Sequence, residues 1–312
     1  MAGRSAVGPV SRRRLMAGAA AVLAAGAAAA CSGPGRRDDA KGSGAPHMTG
    51  APPHLTAAVG LVDSLLGIGW DAGRNAYKKV HEDDGRVTRV QWEGRPEVLA
   101  QCGSFQALVL EHAYGPGTDG GWATGAFFRD RFFSGRGLRD TRKRFPNAAE
   151  FRAGFAAGAG APYFERVAGP KALRPGDLVA IDYRDAGLWY SGHIVMVRAA
   201  RGVLASPVDE QVGRDAVGHV FEVVDCTDSP HGDPERGTRA LYERYPDTRL
   251  TYRGDRDSVS HVHRHTGAGF GHMVLYADAA GGFAGYRWSV NSSRASTAAH
   301  RPLAAARVRA AG

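Results

Sequence analysis

The period of the apolar residues changes along this chain, and that change limits its fold more than any other feature. Ahead of Pro175-Gly176 the apolar runs recur at three- and four-residue spacing; beyond it they alternate. In "HLTAAVGLVDSLLGIGW", Leu55, Val59, Val62, Leu65 and Leu66 fall on one side of a helix. In "EVLAQCGSFQALVLEHAYG", Pro96-Glu97 can start a turn, and Phe105, Leu108, Val109, His112 and Ala113 keep helical spacing until Gly115-Pro116-Gly117. "PNAAEFRAGFAAGAG" places Glu150 three residues after Asn147, the signature of a capping box. After Pro175-Gly176 come "DLVAIDY", "GHIVMVRAA", "VFEVVDCT", "HMVLYAD" and "GFAGYRWSV", each with a strand pattern. Helices followed by strands predict an α+β fold in which N-terminal helices pack on an antiparallel β-sheet.

With 312 residues and 43% apolar content the chain can bury a core. The sequence divides into a leader at 1–31, a linker at 32–53 and a single domain at 54–312. The leader has a basic start, "SRRRLM", and an apolar stretch too short and alanine-rich to span a bilayer stably. Ser11 to Met16 resembles a twin-arginine export motif, and the small residues running into Cys31 resemble a lipoprotein processing site. Lipidation of Cys31 would anchor the protein to the outer face of the plasma membrane; Ala28, where a larger aliphatic residue is usual, leaves cleavage and secretion without lipid as the other outcome. The linker, "SGPGRRDDAKGSGAPHMTGAPP", is a flexible tether by composition.

The formal charge of +9 falls to +5 once Arg4, Arg12, Arg13 and Arg14 leave with the leader. Basic residues do not alternate with aromatics as in a nucleic-acid groove, so the excess suits anionic headgroups or wall polymers. Gly267, Gly269 and Gly271 lack the strand-to-helix context of a phosphate loop, which excludes nucleotide. His261, His263 and His265 would share one face of a strand, yet lack a carboxylate or thiolate at metal-site spacing, and read as a solvated polar face. No cofactor and no metal is expected.

Cys31, Cys102 and Cys226 are the three cysteines. Removing Cys31 to a lipid leaves an even pair, which in an exported protein suggests a disulfide, whereas export of an already folded protein argues against one. The place of Cys102 supplies a third reading. A helix N-terminus favours a thiolate beside its unpaired N–H groups, and the same groups can hold an oxyanion. Such a thiol needs a histidine as base and a polar residue to orient that histidine. His193 at the start of "GHIVMV" and Asp225 late in "VFEVVDCT" follow in that order. By alternation Asp225 and Cys226 face opposite sides, so a strand that aims Asp225 at His193 turns Cys226 away. His231 is expected in a turn near the site.

"QCGSF", "LRPGDLVAI", "GHIVMV" and "VVDCTDSPHG" together resemble the papain-like cysteine hydrolases of the NlpC/P60 and CHAP superfamily, over about residues 98 to 230. That resemblance implies Cys102 as nucleophile, His193 as base, Asp225 as the residue orienting the imidazole, and a peptide amide, such as those of peptidoglycan, as substrate. It also implies insertions near 116–145 and 200–218. The reading from another class is a surface lipoprotein that binds wall peptide or a protein partner without catalysis, with Cys102 and Cys226 bonded.

Overall fold

Pro53 stands at the first helical position of α1 (Pro53–Gly67), where a missing N–H costs nothing. The helix buries Leu55, Val59, Val62 and Leu65 against α2 (Cys102–Tyr114). The computed structural model describes residues 50–78, 88–133, 144–184, 191–204, 211–232, 239–252 and 262–309. All lie in one unit, Met48–Gly312. The leader with Cys31, most of the linker, and His261 lie outside the described residues.

Between α1 and α2 the chain forms a small sheet that periodicity did not reveal: β1 (Asn75–Tyr77), β2 (Arg89–Gln91) and β3 (Glu97–Ala100), in the order β1-β3-β2. Each strand is three or four residues long, too short for alternation to register. The last residue of β3 is Ala100 and Gln101 caps α2, so this sheet sets where the helix begins. Next come α3 (Gly125–Phe132), started by Thr124 accepting from the Phe127 N–H at 3.0 Å, and α4 (Ala148–Ala157). The expected capping box on α4 is present: Asn147 Oδ1 accepts the Glu150 N–H at 2.9 Å, and Glu150 Oε2 accepts the Asn147 N–H at 2.8 Å. Gly158 ends α4 in the left-handed conformation at φ +67°.

The rest is a sheet of eight strands: β4 (Phe164–Val167), β5 (Leu178–Asp182), β6 (Gly192–Val203), β7 (Val217–Thr227), β10 (Gly267–Ala277), β11 (Phe283–Arg287), β12 (Ser296–Thr297) and β13 (Leu303–Val308). Their spatial order is β12-β11-β10-β7-β6-β5-β13-β4, and every neighbouring pair is antiparallel. A short helix α5 (Arg239–Arg244) and the pair β8 (Leu250–Tyr252) and β9 (Val262–Arg264) fall between β7 and β10. All five strand runs read from the sequence are in the large sheet. The α+β class with a large antiparallel sheet is therefore observed.

Alternation divides the sheet into two buried faces. Ile194, Met196, Val224 and Cys226 join the helices in one core, which a cluster of Phe128, Phe132, Phe151, Phe155 and Phe164 fills. Val195, Val197, Val223 and Met273 belong to a second core, shared with Tyr286 and Leu303. Burial on both faces explains why these strands read as apolar runs. One polar contact crosses the helical layer. His54 is 1% exposed; its Nδ1 accepts from the Tyr114 hydroxyl at 2.8 Å, and its Nε2–H donates to the Gly176 carbonyl at 2.8 Å. It fastens α1 to the end of α2 and to the turn before β5.

Candidate active site

Cys102 is the first residue of α2 and 5% exposed. Gln101 and Ser104 close the helix start as a capping box, Ser104 Oγ accepting the Gln101 N–H at 3.0 Å. Gln101 is the cap of this helix. One turn on, the buried Gln106 donates from Nε2 to the Val224 carbonyl at 3.1 Å. That bond ties α2, which begins with Cys102, to β7 one residue before Asp225.

His193 is the second residue of β6, paired across with Ile181 of β5. Gly192 before it has φ +152°, and a Cβ there would lie 1.9 Å from the Ile181 carbonyl oxygen, so no larger residue fits. His193 Nε2 lies 2.5 Å from Asp225 Oδ2, and the Cys102 sulfur is within hydrogen-bonding reach of the same ring. With Nε2 committed to the carboxylate, Nδ1 is the nitrogen left for sulfur. Burial alone would push the His193 imidazole down; the charge of Cys102 and the hydrogen bonds the ring makes to Asp225 and Cys102 outweigh it and leave it raised. The three residues singled out in the sequence thus meet in space.

Cys226 points the other way, as alternation requires. It is buried in the helical core and donates from Sγ to the Ala100 carbonyl at 3.3 Å, and burial pushes its thiol well above the usual range. Cys102 and Cys226 are both free thiols.

Beneath the imidazole lies a charged cluster that the sequence did not announce. Asp225 is fully buried; Oδ2 also accepts from His231 Nε2 at 2.8 Å, and Oδ1 accepts from Arg249 Nη1 at 2.7 Å. Arg249, itself 0% exposed, grips Asp247 through Nε at 2.9 Å and Nη2 at 2.8 Å. Burial would raise the Asp225 carboxyl, but the Arg249 and His231 charges and the two imidazole hydrogen bonds hold it well below the usual range. The cluster needs room, which β10 supplies through its glycines. A Cβ on Gly269 would lie 3.0 Å from Arg249 Cγ, and one on Gly271 would lie 2.5 Å from Asp247 Oδ2 and 2.7 Å from His231 Cβ. Alternating glycines inside a strand signal such a close approach, and "GAGFG" was the clue available. The sequence "PDTRL" around Arg249 carries no motif.

Trp288, just after β11, stacks on His231 at 4.0 Å and meets His193 edge-on at 4.8 Å. The β10–β11 hairpin therefore both extends the sheet and walls the site. Over it opens a cleft of about 310 Å³ lined by Tyr77, Tyr183, Gly192, His193, Thr227, Asp228, Ser229 and Trp288. His193, Asp225 and His231 bring ligand atoms within 4.8 Å of one another, as a metal site would. Those atoms are already spent on each other, and the guanidinium on the same carboxylate opposes a second cation. Away from this site, His265 stacks on Trp70 at 4.7 Å and bonds to Thr251, and His263 is exposed on β9.

No family model, no curated protein and no solved structure matches the chain.

Proposed function

We propose that this chain is a cysteine hydrolase of papain-like fold that cleaves peptide amide bonds by acyl transfer, with cell-wall peptide as its substrate class. The observation that carries this reading is Cys102 at the first residue of a helix, in reach of an imidazole whose far nitrogen is held by Asp225. The fold, the order of the three residues and their resemblance to the NlpC/P60 and CHAP superfamily all support it. So does the export leader ending at Cys31, which would put the domain at the outer face of the plasma membrane.

The chemistry follows from these positions. His193 Nδ1 takes the thiol proton, and sulfur attacks the amide carbonyl carbon. The N–H groups of Cys102 and Gly103, which in the first turn have no intrahelical acceptor, face the developing oxyanion. His193 then protonates the departing amine as the C–N bond breaks, which leaves a thioester on Cys102. In the second half His193 takes a proton from water, hydroxide adds to the thioester carbonyl, and collapse returns the sulfur with its proton. Asp225 keeps the imidazole in the tautomer that presents Nδ1 to sulfur.

Purified protein incubated with peptidoglycan stem peptides should release new amino termini detectable by mass spectrometry. Cys102→Ala and His193→Ala should each lower the rate at least about a thousandfold at unchanged fold, as expected when a member of a nucleophile–base unit is lost. Equal turnover by wild type and Cys102→Ala would exclude the thiol mechanism.

A further inference from the structure

We propose that His231 is a positioning residue carried as an imidazolium beneath Asp225, so that the buried platform under His193 is electrically neutral and the catalytic imidazole can release its proton. This deepens the hydrolase reading above and rests on it for its functional consequence.

The charge on His231 follows from its two neighbours. Its ring is 1% exposed, with Nε2 2.8 Å from Asp225 Oδ2 and Nδ1 2.7 Å from the Trp288 carbonyl oxygen. A carbonyl oxygen and an ionised carboxylate can only accept. A neutral ring would aim a lone pair at one of them, in a place no water reaches. Both nitrogens therefore carry hydrogen. The ring is held in this pose by its own main chain, because the His231 N–H donates to Asp247 Oδ2 at 2.6 Å. Trp288 covers its face.

The charge count gives the same answer independently. Asp225, Asp247 and His193 face His231, and Arg249 completes the cluster through both carboxylates. Two carboxylates and one guanidinium alone would leave a buried net charge of minus one under the catalytic ring. With His231 charged, two acids meet two cations and the platform balances.

The balance reaches the catalytic ring. Asp225 Oδ2 is shared between two imidazoles whose centroids lie 6.0 Å apart. A bare carboxylate would hold the His193 proton too firmly for delivery to a leaving amine. The His231 charge draws on the same oxygen and repels a second proton nearby. His193 keeps its orientation and gives up part of its basicity.

Two measurements test this on the full chain. With ¹⁵N-labelled histidine at neutral pH, and His231→Gln to assign the signal, both ring nitrogens of His231 should resonate as protonated nitrogens. A single unprotonated nitrogen would overturn the proposal. In His231→Gln, whose amide can still donate to Asp225, the alkaline limb of the pH profile for stem-peptide hydrolysis should move up by roughly one pH unit, since the removed charge lies close to His193 and that limb reports the proton it must give to the leaving amine. A limb that stays in place while the protein remains folded also overturns it, because a merely structural residue would change stability and not the profile. If His193→Ala leaves alkylation of the wild-type thiol unaltered, the hydrolase reading fails instead, and the ring-nitrogen spectrum still decides the charge on His231.

Discussion

At His54 the imidazole sits between a hydroxyl and a carbonyl with no room for charge, and burial lowers its pKa from 6.5 to about 4, offset in part by the Gly176 hydrogen bond. The unfolded chain thus binds a proton between these values that the folded chain refuses. Stability from this residue is fully present above about pH 6.5, erodes as pH falls toward 4, and changes no further below that. A difference of that size corresponds to about 3 kcal/mol across the window. Urea midpoints measured at pH 7 and pH 4.5 should lie closer together in His54→Gln than in the wild type; an identical acid loss in both proteins would contradict the assignment. His193 has the opposite sign, since its raised value makes protonation favour the fold. Comparing the two proteins cancels that contribution. That Cys102, His193 and Asp225 come together was legible residue by residue, because the chemistry they suggest restricts them to few types in a fixed order. Arg249 and Asp247 were not, because a buried ion pair leaves no periodic trace and its partners lie 22 and 24 residues from Asp225 along the chain.

Among the elements, α4 was readable from its first residue, since Asn147 and Glu150 close the box that the sequence spells out. Removing the cap in Asn147→Ala should cost about 1 kcal/mol, read as a lower urea midpoint with unchanged reactivity of Cys102 toward iodoacetamide, because the helix packs on the sheet away from the cleft. A midpoint equal to the wild type would show that the cap adds nothing. The long strands were equally plain, with β6 and β7 running 12 and 11 residues. The short ones were not. Strands of three or four residues such as β1 to β3 hold at most two full alternations, so the pattern cannot separate them from loop. Helix α3 was hidden differently: "GAFFRDRF" buries only Phe128 and Phe132, and its start depends on Thr124, a residue equally at home in turns. The glycines of β10 look like loop in sequence because their reason, the Asp247–Arg249 segment laid over them, lies elsewhere in the chain.

For the molecule as a whole, one sheet with two buried faces does two jobs. The helical face carries the core in which Cys102 and Cys226 sit; the other buries Val195, Val197, Val223 and Met273. The order of helices before strands foretold this layering, while the closing of the second face by β11 and β13 depends on pairings that no local pattern encodes. The central claim is that α2 delivers a sulfur to the imidazole of β6, and it can be tested without knowing the substrate. Native protein is treated with iodoacetamide at pH 6, and modification of each cysteine is followed by mass spectrometry in the wild type and in His193→Ala. The account predicts that Cys102 reacts at least about tenfold faster in the wild type, and that Cys226, sealed in the core, stays unmodified until the protein is denatured. Equal rates at Cys102 with and without His193, in a protein that remains folded, would contradict it.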